Sequence, residues 1–160
     1  GNSSAQKEFI PVDVCLENLR KFKHDKSFPG KHNENDIKNG FNNLTFPENA
    51  EPLADEYIAE NGQQLFRVCR HCGINHLIYT GFAINWCLLL SPGGMHEMSS
   101  YGIMCSAVRE AVTAVENKES ASIESHKEEG LWRTAIAFGF VFSVKDLVEA
   151  LNSYVKRKKC

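Results

Sequence analysis

His76-Leu77-Ile78-Tyr79-Thr80 runs directly into Gly81-Phe82-Ala83-Ile84-Asn85-Trp86-Cys87, and this stretch decides the fold. The first five residues are rich in apolar, β-branched and aromatic side chains and predict a buried strand over Asn75 to Thr80. Trp86 to Leu90 then starts a helix. A strand that turns sharply into a helix is the repeating unit of a parallel sheet. It places Cys87 at the carboxyl end of its strand, where the next helix offers free N–H groups and a dipole that favours thiolate.

Upstream of that unit, Gln63 to Cys72 carries Leu65, Phe66 and Cys69 at helical spacing and stops at Gly73. Tyr57-Ile58-Ala59 reads as a short strand. Downstream, the helix begun at Trp86 is interrupted by Ser91-Pro92-Gly93-Gly94 and resumes through Met98; Ile103 to Val108 then reads as a strand. Glu116 to Glu129 is an acidic loop leading into the solvated face of a helix over Ala121 to Phe138. Phe140-Val141-Phe142 is a short strand, and Ser143 to Val155 a last helix, with Ser143 and Asp146 spaced as a capping box. Strands alternating with helices predict an α/β parallel sheet covered on both faces.

Residues 1 to 55 read differently: a disordered start over 1 to 8, a helix over Val12 to His24 opened by Asp13, and a long irregular segment from Asp25 to Asp55 of the kind that forms lids, arms or interface loops. The reading therefore divides the chain into 1–55 (arm, helix and long loop), 56–155 (core) and 156–160, a basic tail from Lys156-Arg157-Lys158-Lys159 to Cys160.

The 160 residues, 42% of them hydrophobic, suffice for one core without disulfide staples. A net charge of -2 gives no reason to expect nucleic acid or an anionic membrane as partner. No apolar run is long enough to span a bilayer. Six scattered cysteines (Cys15, Cys69, Cys72, Cys87, Cys105, Cys160) predict reduced thiols and a cytoplasmic setting.

From Glu56 to Leu151 the chain resembles the isochorismatase-like cysteine hydrolases. The resemblance rests on Cys72-Gly73-Ile74-Asn75-His76 before the strand, the Gly81 to Cys87 turn, the Met98 to Gly102 helix end, and the closing Phe140 to Leu151 strand and helix. It implies a three-layer α/β/α, doubly wound parallel sheet of Rossmann-like form. It implies a hydrolase acting on a small amide-like or related substrate, with Cys87 as nucleophile and no cofactor. It also implies a cis peptide bond between Phe82 and Ala83, an oxyanion hole made by the N–H groups of Ala83 and Cys87, and substrate contacts from Phe82, Asn85 and Trp86.

The chain departs from the family in two places. The family's catalytic Lys belongs near Ala59 and Glu60, yet there is no Lys between Lys38 and Lys118. Arg67 and Arg70 are close in sequence, but a guanidinium does not shuttle protons. The family's Asp ends a first strand, and Asp13, in Ile10-Pro11-Val12-Asp13-Val14, reads as a helix cap instead. The chain thus resembles the carboxyl-terminal two thirds of such a hydrolase, with a sheet lacking its opening strands. A sheet so exposed at its edge predicts homo-oligomerisation. A catalytically silent homologue with an assembly or ligand-binding role is the alternative.

Other signals have plainer readings. Cys69-Arg70-His71-Cys72 has the spacing of half a zinc site but falls at a helix end with no second ligand pair, so it reads as packing. His96 reads as an exposed histidine near the pocket mouth, and Arg109 and Glu110 as ties from a strand end to a neighbouring loop. Trp86 has two readings, pocket wall or core side chain beneath the sheet.

Overall fold

The computed structural model describes residues 13–27, 31–42 and 44–158. The start over 1 to 8, Pro11 and Val12, and Lys159 and Cys160 lie outside the described residues. The chain divides into two compact units, Gly1–Glu51 and Pro52–Cys160.

In the first unit α1 (Val14–Lys26) is capped by Asp13, whose Oδ1 accepts the Leu16 N–H at 2.7 Å. This is the cap read from the sequence. The segment expected to be irregular contains a second helix, α2 (Glu34–Asn42), between short 3-10 turns at Lys31–Asn33 and Glu48–Ala50. Glu34 and Asp36 in its first turn complement the helix dipole, and that outweighs a composition rich in Asn and Gly.

In the second unit α3 (Gly62–Cys72) starts at Asn61, whose side chain accepts the Gln64 N–H, and stops at Gly73 in the left-handed conformation at φ 68. Then come β1 (His76–Phe82), α4 (Cys87–Leu90), α5 (Met95–Ser100), β2 (Met104–Thr113), α6 (Ser125–Ala137), β3 (Val141–Phe142) and α7 (Val144–Lys158). All strand pairs are parallel and the order is β1-β2-β3. The protein is an α/β structure with a parallel sheet.

The register sorts the side chains. Leu77 pairs with Cys105, Tyr79 with Ala107, and Ala107 with Val141. These residues join Cys69 of α3, Leu89 of α4, Met95 and Met98 of α5 and Leu131 of α6 in one apolar cluster. The alternate residues, Ile78 paired with Ser106 and Val108 with Phe142, face the other way. On that second face Ser106 is buried and hydrogen-bonded: its Oγ lies 2.6 Å from His76 Nε2 and accepts the Phe140 N–H at 2.8 Å.

Several boundaries differ from the sequence reading. Tyr57-Ile58-Ala59 forms no strand, since no partner pairs with it among the described residues. β2 continues past Val108 to Thr113, because a register shift between Tyr79 and Gly81 lets Gly81 and Phe82 pair with Val112 and Thr113. The helix expected from Ala121 begins only at Ser125. Asn117 and Ser120 close a turn first, with Asn117 Oδ1 accepting the N–H groups of Glu119 and Ser120 at 2.9 Å. α7 opens with the expected Ser143–Asp146 box, the Asp146 N–H donating to Ser143 Oγ at 3.1 Å, but it runs on through Lys158. Part of the expected basic tail is therefore helical. No helix among the described residues is long and apolar enough to cross a membrane.

Candidate functional site

β1 ends in the turn that carries the sequence-predicted site. The peptide bond joining Phe82 to Ala83 is cis. Ala83 and Ile84 are fully buried, and the Ile84 N–H donates to Thr113 O at 2.8 Å, which fastens the turn to the end of β2. The Ala83 carbonyl accepts from the N–H groups of Trp86 and Leu88, wrapping the chain into α4. The N–H groups of Ala83 and Cys87 have no hydrogen-bond partner among the described residues.

Cys87 is the first residue of α4 and its thiol is exposed. The expected dipole support is small, since α4 has only 4 residues before Ser91 ends it. A single turn aligns few peptide dipoles, and Pro92 supplies no N–H to extend it.

The three residues expected to contact substrate sit in different surroundings. Phe82 and Trp86 are 61% and 57% exposed. That exposure takes Trp86 out of the core beneath the sheet. The Asn85 amide is engaged by backbone instead: Nδ2 donates to Val115 O and Oδ1 accepts the Val115 N–H, both at 3.0 Å. Asn85 therefore fixes the turn against the chain leaving β2.

α6 approaches that turn closely at Gly130. A Cβ there would lie 3.0 Å from the Ile84 carbonyl carbon and 3.1 Å from the Asn85 nitrogen. Between the turn, the 115–117 segment and α6 lies a groove of ≈ 310 Å³ lined by Asn85, Trp86, Glu116, His126, Glu129 and Arg133, among others. Cys87 is not part of its lining.

Glu116, which the sequence reading left in a loop, closes the start of α6. Its carboxylate accepts the N–H groups of His126 at 3.3 Å and Lys127 at 2.9 Å. Desolvation pushes its pKa up, but hydrogen bonds from Ser120, Lys127 and His126, with the charge of His126, outweigh this and hold the carboxyl below its ordinary value. Glu116 lies well before α6 in sequence, so no local pattern signals this role in advance.

The other singled-out residues are structural. Arg109 pairs with Glu128 of α6, and the Glu110 carboxylate accepts the Val144 N–H at 2.9 Å, so these ties run from within β2 to α6 and to the start of α7 rather than from a strand end to a loop. Cys69 is buried while Cys72 is exposed and meets the Tyr57 hydroxyl. Burial pushes the thiols of Cys69 and Cys105 up and keeps both neutral. His96 is exposed on α5. Among the described residues no group of three or more His, Cys, Asp or Glu side chains is arranged to hold a metal ion.

Fold and site together describe an α/β domain with an exposed thiol at the carboxyl end of a parallel strand. Compared with family models, curated proteins and solved structures, the chain has no match.

Proposed function

We propose that the chain is an isochorismatase-like cysteine hydrolase in which Cys87 attacks the carbonyl carbon of a small amide-like substrate. The observation that carries this reading is the pair of unpartnered N–H groups, Ala83 and Cys87, beside an exposed thiol at the end of β1. Attack would form a sulfur–carbon bond and push the carbonyl electron pair onto oxygen, where the two N–H groups would meet the new charge. Collapse would expel the amine with a proton, and water would then cleave the thioester, so the chemistry calls for no cofactor.

The finer fold belongs to the same proposal. In a doubly wound, three-layer sheet β1 would be an inner strand, and its free edge is where the opening strands would pair. Those strands would come from a second copy or another segment.

A second reading, a catalytically silent homologue that binds or assembles, is favoured by the absence of any Lys from Asn39 to Asn117, which includes the family's lysine position. Brief iodoacetamide treatment of the full chain at neutral pH, followed by mass spectrometry, separates the two. The hydrolase reading expects Cys87 to be alkylated several-fold faster than the exposed Cys15 and Cys72. Labelling at the same rate as those two would leave only the silent reading.

A further inference from the structure

α3 carries two arginines that the proposed chemistry does not use. Arg67 and Arg70 are one helical turn apart, which brings their side chains to one face. Both are exposed, and neither side chain forms an ion pair or hydrogen bond among the described residues. Arg70 lies in the last turn, where a cation complements the helix dipole. Arg67 lies a turn earlier, outside that benefit, and the two like charges repel.

Both arginines line a groove of ≈ 270 Å³ with Gln63, Phe66 and Tyr101. No acidic side chain is in that lining. The Phe66 and Tyr101 rings are stacked, with centroids 4.7 Å apart and planes inclined by 29°. Phe66 is half-buried against the core, and its ring backs one face of Tyr101, which stays 39% exposed. The Tyr101 hydroxyl donates to Glu97 Oε1 at 3.2 Å, and Glu97 Oε2 accepts the Gly93 N–H at 2.7 Å, so the ring is held from its far end.

We infer that this groove binds a small aromatic phosphate monoester, the phosphate held by the Arg67 and Arg70 forks and the ring laid on Tyr101. Two guanidinium groups one turn apart match the several acceptor oxygens of a dianion, each able to give paired N–H bonds. The stacked aromatic pair supplies a flat apolar seat next to them. The arginine pair is not required by the fold: the core beneath is built by Cys69, with Leu65 and Phe66 packed against it, and neither guanidinium belongs to it.

Titration calorimetry on the full chain tests this with adenosine 5′-monophosphate, inorganic phosphate and adenosine as probes, at constant ionic strength. The nucleotide should bind at least about tenfold more tightly than either fragment, and Arg67→Gln with Arg70→Gln should weaken it by about tenfold or more. Both side chains are exposed, so the double variant should keep its circular dichroism spectrum and melting temperature. Nucleotide affinity unchanged in that variant would overturn the site. Phosphate binding as well as the nucleotide would overturn the ring seat, and adenosine binding as well would overturn the role of the phosphate.

Discussion

Glu116 shows how much one side chain can hold. Its carboxylate takes two N–H groups from the first turn of α6, and the resulting pKa lies below the ordinary 4.5. A carboxyl depressed in the folded state contributes stability that is fully present above its unfolded value and is lost as pH falls through its folded value. Urea unfolding of wild type and Glu116→Gln should therefore show a gap near pH 7 that closes as pH drops below 4.5. A gap independent of pH would mean that the charge contributes nothing. Asn85 is the other instructive residue. The sequence placed it close to Cys87, and only the structure shows both of its amide atoms engaged by Val115.

At the scale of elements, the contact between α6 and the Ile84-Asn85 turn depends on the lack of a side chain at Gly130. The atoms a Cβ would meet include backbone, which yields only by moving the turn or the helix. Gly130→Ala is expected to cost about 1–3 kcal/mol, measured by urea unfolding, and to alter the alkylation rate of Cys87 through the displaced turn. The caps behave as local chemistry predicts: Asp13, Gly73 and the Ser143–Asp146 box stand where the sequence puts helix ends, while the Asn61 cap of α3 comes from the structure. α4 also stops where the sequence interrupts it: Ser91 and Pro92 end it after one turn, so Cys87 gains an exposed position and little dipole.

Across the sheet, β2 has a neighbour on each side while β1, among the described residues, pairs on one side only. Amide exchange of the full chain should be slowest in β2 around Cys105 to Val108. In β1 alternate amides should exchange much faster, because they face an unpaired edge. Uniform protection along β1 would instead show that another strand covers that edge in solution.

The strand–turn–helix unit around Cys87, the helix caps and the parallel character of the sheet were legible in the sequence, because apolar period and capping chemistry act over a few residues. The true length of β2 was not, since its last residues are strand only through pairing with Gly81 and Phe82, some thirty positions away. The same holds for Tyr57-Ile58-Ala59, whose composition suits a strand and whose surroundings offer no partner. The tertiary structure alone decided that Asn85 serves the backbone, that Trp86 lines a groove, and that Arg67 and Arg70 share an aromatic one. These are facts of proximity between segments distant in the chain, and local propensity carries no information about which distant groups will meet.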